Sequence, residues 1–358
     1  KIGRYTSPHL IDFRERITVD SVPIPEDAVL EFLEQWTPTA EGTGATFFEL
    51  TTALAFDWFA RQRVDFAVIE TGLGGRLDST NVLTPRVATV TSIGLDHTDL
   101  LGDTLQAIAR EKAGIFKRGV PAVIGESAPE IRSLLLERAK ESGADPIIVV
   151  DDEYQVSDIE ISTRGTSFTL ATGSGQQRVT TPLIGAFQAR NTAIAIATVA
   201  ALGPPYLPAQ AKISTKLEKI FLRGRFQRWR SFIFDVAHNP DGARAVAEAI
   251  RALNPLSPRI AIVAVLADKD WKGIIRALAP TVDRFVFTNT PSAPPGRRWD
   301  PAQAQAYAKS QGFNSLLEPD LDSALKSAQQ SGKTVLVTGS FHTVGDVMSR
   351  LQVSPFAA

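Results

Sequence analysis

Two short apolar runs, each followed by a polar residue, constrain the fold of this chain more than any other feature. The first covers residues 66–69 and ends at Glu70, and the second covers residues 87–93 and leads to His97. Both have the length of buried parallel strands, and open parallel sheets bind ligands beyond the carboxyl ends of their strands. Glu70 and His97 should therefore face one crevice, where they could hold a divalent metal. The alternatives are that Glu70 caps a turn and that His97 is a solvated loop residue.

Strands and helices alternate along the whole chain, which predicts an α/β protein with doubly wound parallel sheets. A length of 358 residues favours two domains. We expect a first domain over residues 1–222, with an antiparallel excursion at 154–184, and a smaller Rossmann-like α/β domain over 223–358. The further predicted strands are 120–124, 146–150, 232–236, 260–265, 284–288 and 334–338. The predicted helices are 25–35, 46–63, 104–117, 130–141, 188–202, 209–220, 242–253, 272–278, 301–310, 321–330 and 344–351.

Composition excludes several classes of function. Hydrophobic residues at 44%, charged residues at 22% and a net charge of -1 are typical of a soluble globular protein and leave no basic footprint for nucleic acid or anionic membrane. The absence of cysteine excludes disulfides, thiolate chemistry and Cys-ligated zinc. No apolar run approaches the ~20 residues of a membrane span, and the N-terminus lacks the apolar region of a signal peptide. We expect a cytoplasmic monomer with small-molecule substrates.

Several short motifs together resemble one known family. They are TSPHL (6–10), TFFE (46–49), ETGLGGRLDSTN (70–81), GLDH (94–97), EKAGIFK (111–117), LRGRF (222–226) and DVAHNP (235–240). In this order and spacing they resemble the dihydrofolate synthase/folylpolyglutamate synthase family, a branch of the ATP-dependent Mur ligases. The resemblance covers nearly the whole chain and implies a Mur-ligase-like ATPase domain followed by a glutamate-ligase domain.

The resemblance also implies a reaction. ATP phosphorylates the carboxylate of a pteroate or folate, and the amino group of L-glutamate attacks the resulting acyl phosphate to give an amide, ADP and phosphate. Such chemistry requires cations at the phosphoryl oxygens and close orientation of the bound substrates. ATP and Mg²⁺ are therefore the expected cofactors.

Four residues correspond by motif to the metal and catalytic centre of the family. Ser7, Glu70 and His97 would bind magnesium, and Glu70, His97 and Lys112 would be catalytic. Lys112 corresponds to the lysine that the family carbamylates, which turns a hydrogen-bond donor into an anion able to ligate or orient a metal. The alternative for Lys112 is a solvated lysine on a helix face.

Two further groups of residues correspond to substrate contacts of the family. The pterin-side residues would be Thr46, Phe47, Phe48, Glu49, Leu77, Asp78 and Ser79, with Asp78 accepting hydrogen bonds from the pterin and a phenylalanine stacking on it. One of the two phenylalanines is expected to be plain core. The nucleotide-side residues would be Asn191, Arg225, Asp235 and His238, with a surface arginine as the alternative for Arg225.

The sequence departs from the family pattern at two places. Phe187 replaces the histidine that usually precedes Gln188. No G-x-x-x-x-G-K-[ST] phosphate loop occurs, so the chain is expected to lack an N-terminal segment that carries it. Two other functions stay open: another Mur-type ligase acting on a cell-wall nucleotide precursor, and a non-catalytic nucleotide-binding derivative. The retention of Glu70, His97 and Lys112 together favours an active ligase.

Overall fold

The computed structural model describes residues 1–204, 206, 213–354 and 356. Contacts between Cα atoms divide them into two compact units, one formed by residues within 1–155, 171–174 and 193–207 and the other by the remaining described residues. The antiparallel strands group mostly with the second unit rather than with the first. The domain boundary at residue 222 therefore stays a prediction.

The first unit contains a four-stranded mixed sheet in the order β3-β2-β1-β4. The strands are β1 (Ile2–Tyr5), β2 (Ile17–Val19), β3 (Val22–Pro23) and β4 (Phe66–Ile69), and the helices are α1 (Glu26–Thr43) and α2 (Phe47–Gln62). Strands β1 and β4 are parallel with Tyr5 opposite Ile69, so the residues that follow the two strands leave the sheet side by side. The side chains of Tyr5, Leu54 and Phe59 are buried in the core between this sheet and its helices.

A separate parallel sheet of three strands follows, in the order β5-β6-β7. Its elements are β5 (Ala88–Val90), α3 (Thr98–Leu101), α4 (Leu105–Ala113), β6 (Ala122–Ile124), α5 (Pro129–Ser142), β7 (Ile147–Val149) and α6 (Val150–Glu153). The expectation that the runs ending at Glu70 and His97 belong to one sheet is therefore wrong: β4 pairs with β1, whereas β5 pairs with β6. Each short strand satisfies its hydrogen bonds with a partner that sequence periodicity cannot identify.

The region of the predicted antiparallel excursion contains a three-stranded sheet, with β9 between β10 and β8. These strands are β8 (Gln155–Ser162), β9 (Gly165–Thr172) and β10 (Gly175–Thr181), and they are followed by α7 (Ala186–Ala201) and α8 (Ile213–Leu217). The first four residues of the predicted helix 209–220 lie outside the described residues.

The second unit also contains a six-stranded sheet in the order β11-β12-β16-β13-β14-β15, parallel except for β11 at one edge. Its strands are β11 (Gln227–Trp229), β12 (Phe232–Phe234), β13 (Arg259–Val263), β14 (Arg284–Phe287), β15 (Ser315–Leu317) and β16 (Thr334–Thr338). Its helices are α9 (Pro240–Leu253), α10 (Trp271–Leu278), α11 (Pro301–Ser310), α12 (Leu321–Ser331) and α13 (Phe341–Arg350). The central strands are buried on both faces, as the apolar runs predict.

Across the described part of the chain, none of the helices combines the length and apolar character that crossing a bilayer requires.

Candidate active site

Glu70 leaves strand β4 beside the loop that follows β1. Its backbone N–H donates to the Tyr5 carbonyl at 2.9 Å, which extends the parallel ladder by one bond. Its Oε2 accepts a hydrogen bond of 2.9 Å from the Ser7 backbone N–H. The structure therefore brings Ser7 and Glu70 together, and this contact fixes the loop with a backbone amide rather than with the Ser7 hydroxyl.

The glycine-rich turn after Glu70 is held by the buried carboxylate of Asp78. Asp78 Oδ2 accepts from the backbone N–H groups of Gly72 and Leu73, both at 2.8 Å. Asp78 Oδ1 accepts from the Thr80 backbone N–H at 2.9 Å and from the Thr80 hydroxyl. Four donors fill the acceptor positions of a carboxylate. Asp78 therefore stabilises the turn itself, and its predicted role as a pterin acceptor has to compete with these bonds.

The same turn packs against the end of helix α4 so closely that no side chain fits between them. A Cβ atom on Gly75 would lie 2.8 Å from the carbonyl oxygen of Lys112, and one on Gly114 would lie 2.4 Å from Arg76 Cβ. The Arg76 backbone N–H donates to the Glu111 carbonyl at 2.8 Å, and the two side chains form an ion pair at 3.0 Å. Glycine is required at both positions because any side chain would separate the turn from the helix.

The side chains of Asn81 and Lys117 extend the contact between the turn and the end of helix α4. Asn81 Nδ2 donates to the Gly114 carbonyl at 3.0 Å, and Lys117 Nζ donates to the carbonyls of Asn81 and Leu83. The segments 70–83 and 111–117, which are two separate motifs in the sequence, therefore form one substructure.

Lys112 is carried into this substructure by α4, where its side chain is largely withdrawn from water. Burial lowers the pKa of the Lys112 ammonium below its usual value, while the negative charges of Asp96, Asp78 and Glu70 act in the opposite direction, with Asp96 first. Three carboxylates thus lie within electrostatic range of one amine. The alternative of a solvated lysine does not fit this environment.

His97 stands in the left-handed region (φ 52°) directly before helix α3. Its backbone N–H donates to Asp96 Oδ1 at 2.9 Å, and its Nε2 lies 4.0 Å from Asp96 Oδ2. Asp96, which the sequence analysis did not single out, therefore lies next to His97. Its negative charge also acts on the Lys112 amine. The turn conformation places the imidazole and the carboxylate next to each other.

The donors of this region suit a hard divalent cation. Carboxylate oxygens are ligands that Mg²⁺ and Mn²⁺ prefer, and Mg²⁺ commonly takes one or two protein carboxylates together with substrate phosphates and water. Among the described residues, no three His, Asp or Glu side chains are already arranged as a metal cluster. The assignment of Ser7, Glu70 and His97 to magnesium stays a prediction.

The segment at the start of α2 separates into capping and surface residues. Thr46 and Glu49 form a capping box, with Thr46 Oγ1 accepting from the Glu49 N–H at 3.2 Å and Glu49 Oε2 accepting from the Thr46 N–H at 2.7 Å. Phe48 stacks on Tyr5 in the core, whereas Phe47 is 63% exposed. Phe48 is thus the core member of the pair, and Phe47 is the one that can stack on a ligand.

Two other pterin-side residues also lie near the surface. The Leu77 side chain is 78% exposed on the glycine-rich turn. Ser79 is half-buried and its hydroxyl lies 3.5 Å from the Thr52 hydroxyl on α2. Ser79 therefore links the turn to the helix that carries Phe47, and Leu77 presents an apolar side chain to solvent.

In the second unit, Asp235 is buried at the end of strand β12. Its oxygens accept from the backbone N–H groups of Phe226 at 2.8 Å and Ala237 at 2.9 Å. Burial raises the pKa of Asp235 to about 6, against the opposing effects of the Arg225 charge, these two hydrogen bonds and His238. Asp235 therefore fixes the 224–226 turn to the 235–237 turn at the carboxyl edge of the sheet.

Arg225 and His238 meet at one aromatic ring. The Arg225 guanidinium carbon lies 5.5 Å from the centroid of the Phe341 ring, and the His238 ring lies 6.1 Å from it. His238 Nδ1 is 3.0 Å from the Val236 carbonyl oxygen. Arg225 itself is exposed. The structure brings Arg225, Asp235 and His238 together, with Phe341 as a member that the sequence motifs did not indicate.

Asn191 lies on helix α7, where its Nδ2 is 3.2 Å from Gln188 Oε1. Gln188 is buried, and Phe187, which replaces the histidine of the family pattern, is 41% exposed.

Comparison with known proteins identifies the family of this chain. Residues 28–199 match the Mur ligase middle domain, and residues 224–341 match the Mur ligase glutamate ligase domain. The dihydrofolate synthase/folylpolyglutamate synthase of Escherichia coli (strain K12) is 34% identical over 354 residues, which cover 97% of this chain and 79% of that protein. The chain belongs to the dihydrofolate synthase/folylpolyglutamate synthase family of Mur ligases.

Solved structures of this family have the same fold. The folylpolyglutamate synthase of Mycobacterium tuberculosis complexed with ADP is 32% identical with a TM-score of 0.88, covering 99% of this chain and 85% of that chain. A bifunctional folylpolyglutamate synthase/dihydrofolate synthase with Mn, AMPPNP and L-glutamate bound is 31% identical with a TM-score of 0.83, covering 98% and 83%. The two-domain α/β fold class is confirmed. The expectation of a missing N-terminal phosphate-loop segment stays a prediction.

The motifs did not single out several residues that the structure places beside the predicted site residues. Asp96 lies inside the GLDH motif, and its negative charge beside a histidine was a usable signal. Asn81 and Lys117 also lie inside motifs, but their function is to join two segments distant in sequence. Phe341 carries no local signal, because an isolated phenylalanine at the start of a helix is ordinarily core.

Proposed function

We propose that this protein is an ATP-dependent ligase that joins L-glutamate to dihydropteroate, to reduced folates or to both. The observation that carries the proposal is the position of Lys112. A member of this family holds an amine with a lowered pKa beside three carboxylates, at the meeting point of the loops that follow β4 and β5. A decayed, non-catalytic derivative has no need of this arrangement.

The proposed reaction has two steps. A carboxylate oxygen of the acceptor attacks the γ-phosphorus of ATP, so that an O–P bond forms and the bond to the ADP oxygen breaks. The glutamate amine then attacks the acyl carbon, loses a proton and expels phosphate as the C–N bond forms. Both steps depend on orientation of the reacting groups and on electrostatic stabilisation.

The charges around Lys112 determine what this site needs. Asp96, Asp78 and Glu70 make it strongly negative, and a triphosphate would add further negative charge. A bound divalent cation would supply the positive charge that compensates the phosphoryl oxygens. Ser7, Glu70 and His97 are the residues we assign to hold it.

We assign Lys112 the role of a carbamylated residue. The neutral amine attacks the carbon of CO₂, an N–C bond forms, one C=O bond opens to an oxyanion, and the nitrogen loses a proton. Burial favours the neutral amine that this reaction requires. The carbamate is an anion, so beside three carboxylates it is stable only with a cation present.

The second unit supplies the proposed nucleotide contacts. The exposed guanidinium of Arg225 is available to a phosphate oxygen, for which arginine has the matching planar fork. Asp235 and His238 shape the adjacent turns at the carboxyl edge of the sheet. Asn191 is assigned to the nucleotide by its motif. We further propose a cytoplasmic monomer, which the apolar and charged composition supports.

An assay of ADP release tests the proposal. With the full chain, MgATP and L-glutamate, we expect ADP to appear only when dihydropteroate or tetrahydrofolate is added, in equal amount to the glutamylated product. Release that responds to a UDP-linked muramyl acceptor and not to either pteridine would assign the protein to the cell-wall ligases. ATP binding without any acceptor-dependent release would indicate the non-catalytic derivative.

A further inference from the structure

A buried cation lies next to the acceptor-side segment of the first unit. The Arg16 residue is only 8% exposed, and its Nε donates to His9 Nδ1 at 2.8 Å. Among the described residues, no carboxylate forms an ion pair with Arg16, and burial lowers the pKa of its guanidinium. Burying a charge without a partner costs free energy. Such a group is suited to an oxygen acceptor that arrives with a ligand.

The acids nearest in sequence are already engaged. Glu15 accepts hydrogen bonds from the backbone N–H groups of residues 10–12, at 3.2, 2.8 and 2.8 Å. Asp12 pairs with Arg14, with Nη2 to Oδ2 at 2.7 Å. The hydrogen bonds from backbone N–H groups to Glu15 and Asp12 hold the loop and the short 3₁₀ turn over residues 13–16. Glu15 acts on the Arg16 charge only through space, without an ion pair.

Aromatic rings surround the Arg16 guanidinium on one side. Its Cζ lies 5.5 Å from the centroid of the exposed Phe47 ring. Phe13 meets Phe47 edge-on at 6.1 Å, and His9 meets Phe13 edge-on at 6.2 Å. Within the described part of the chain Nη1 and Nη2 of Arg16 have no hydrogen-bond partner, yet neither is sealed from solvent. The two free N–H₂ groups of Arg16 therefore lie beside the exposed Phe47 ring, on which an aromatic ligand could stack.

We propose that Arg16 recognises the acceptor substrate, its Nη1 and Nη2 donating to an oxygen of an aromatic acceptor that packs against Phe47. This inference rests on the proposed function, since it specifies how that acceptor is bound. The recognised group is an oxygen acceptor within reach of a planar fork, either the ring carbonyl of a pterin or a carboxylate of a glutamyl chain. Arginine suits both because it donates two parallel bonds and stacks on aromatic rings.

The test compares Arg16→Gln with Arg14→Gln in the full-length chain. Arg14 is the matched control, because it is a nearby arginine already paired with Asp12. In Arg16→Gln we expect the acceptor KM to rise about 10- to 100-fold, the loss of one charge-assisted hydrogen bond, with KM for ATP and glutamate unchanged. The acceptor KM of Arg16→Lys should lie between those of wild type and Arg16→Gln, because lysine keeps the positive charge but lacks the planar fork of donors. Arg14→Gln should leave the acceptor KM unchanged.

Comparing two acceptors locates the recognised oxygen. A rise in KM for both dihydropteroate and tetrahydrofolate assigns the oxygen to the pterin ring, because dihydropteroate has no glutamyl chain. A rise for tetrahydrofolate alone assigns it to a glutamyl carboxylate. An unchanged KM for both acceptors overturns the proposal.

Thermal unfolding separates recognition from a structural role. Removing an unpaired buried charge should leave the Tm of Arg16→Gln unchanged or higher. A lower Tm with all three KM values raised together would show that Arg16 only supports the fold.

Equilibrium binding of dihydropteroate without ATP distinguishes this inference from the proposed function. Wild-type protein that binds dihydropteroate but does not ligate it contradicts the function alone, whereas undiminished binding of both dihydropteroate and tetrahydrofolate by Arg16→Gln contradicts the role of Arg16 alone.

Discussion

At the scale of single residues, the site is built around ionisable groups in unfavourable surroundings. Lys112 is an amine that burial drives towards its neutral form and that three carboxylates drive back towards its charged form. Asp235 is a carboxylate that burial drives towards its neutral form. Perturbed groups of this kind concentrate at functional sites, where the fold maintains them at a cost in stability.

The first prediction concerns the Lys112 carbamate. Lys112→Ala should lower kcat by about 10²–10³-fold, the loss typical of removing one group that stabilises a transition state. A short-chain carboxylic acid added to Lys112→Ala should restore part of the rate, because its carboxylate can occupy the position of the carbamate. The measurement is the rate of ADP release with and without the acid. Lys140→Ala, on the exposed face of α5, is the control and should behave like wild type. Full activity in Lys112→Ala would contradict the assignment.

The second prediction follows from the raised pKa of Asp235. Its folded-state pKa of about 6 lies above the ordinary value of 3.8, so the folded protein binds this proton more tightly than the unfolded chain does. The group therefore contributes stability at acidic pH that is lost as the pH rises through 6. The difference between these two pKa values corresponds to roughly 3 kcal/mol of unfolding free energy.

Asp235→Asn cannot titrate and should lack this pH dependence. Between pH 4 and pH 7, the free energy of unfolding of wild type minus that of Asp235→Asn should fall by roughly 2–3 kcal/mol. Denaturant titrations of both proteins at several pH values provide the measurement. Parallel curves for the two proteins would mean that Asp235 does not titrate in this range.

At the scale of elements, the glycine-rich turn and the end of α4 depend on each other. The turn is fixed internally by Asp78 and externally by the contact of Gly75 and Arg76 with the helix end. The helix end carries Lys112, so any displacement of the turn also displaces the lysine. This mutual packing explains why two motifs separated in sequence occur together.

The third prediction tests that packing. A Cβ atom on Gly114 would lie 2.4 Å from Arg76 Cβ and 2.5 Å from Arg76 Cα, so Gly114→Ala has to move backbone. We expect a loss of about 1–3 kcal/mol in unfolding free energy, the usual cost of overpacking, together with a lower kcat. Gly42→Ala, in helix α1 with no atom within 4 Å of its added methyl group, should instead be neutral or slightly stabilising. Equal effects of the two substitutions would contradict the account.

The sequence predicted some elements of the site for physical reasons that can be stated. The Thr46–Glu49 capping box is a local pattern, so the start of α2 is readable from the sequence. Which of Phe47 and Phe48 faces the core is not readable, because it depends on the close approach of Gly72 to the Phe48 ring. Arg16 was missed for a similar reason, since its burial depends on α2, which lies far away in sequence.

At the scale of the whole molecule, the class of fold was predictable and the pairing of strands was not. Apolar runs identified most strands of the six-stranded sheet, but β11 and β15, with few fully buried residues, gave too weak a pattern. Strand β1, the partner of β4, was not among the predicted strands. Strand partners are non-local, which is why β4 and β5 were wrongly assigned to one sheet.

The fourth prediction addresses the proposed domain boundary. All strands of the six-stranded sheet lie within 227–338, so a fragment of residues 223–358 should fold cooperatively. Ile184 and Ile161, which lie outside this fragment, pack against its core. A fragment of residues 156–358 should therefore have the higher Tm. Circular dichroism on heating both fragments tests this, and an unfolded 223–358 fragment would place the boundary earlier in the chain.

The fifth prediction tests the central claim, that the chain activates an acceptor carboxylate as an acyl phosphate for attack by glutamate. The measurement uses dihydropteroate with ¹⁸O at both carboxylate oxygens, together with MgATP, L-glutamate and the full chain, and mass analysis of the released phosphate. If the carboxylate attacks the γ-phosphorus and phosphate later leaves the acyl carbon, each product phosphate carries one ¹⁸O atom from the acceptor. Phosphate that is free of ¹⁸O, while ADP and the glutamylated product form in equal amount, would contradict the account.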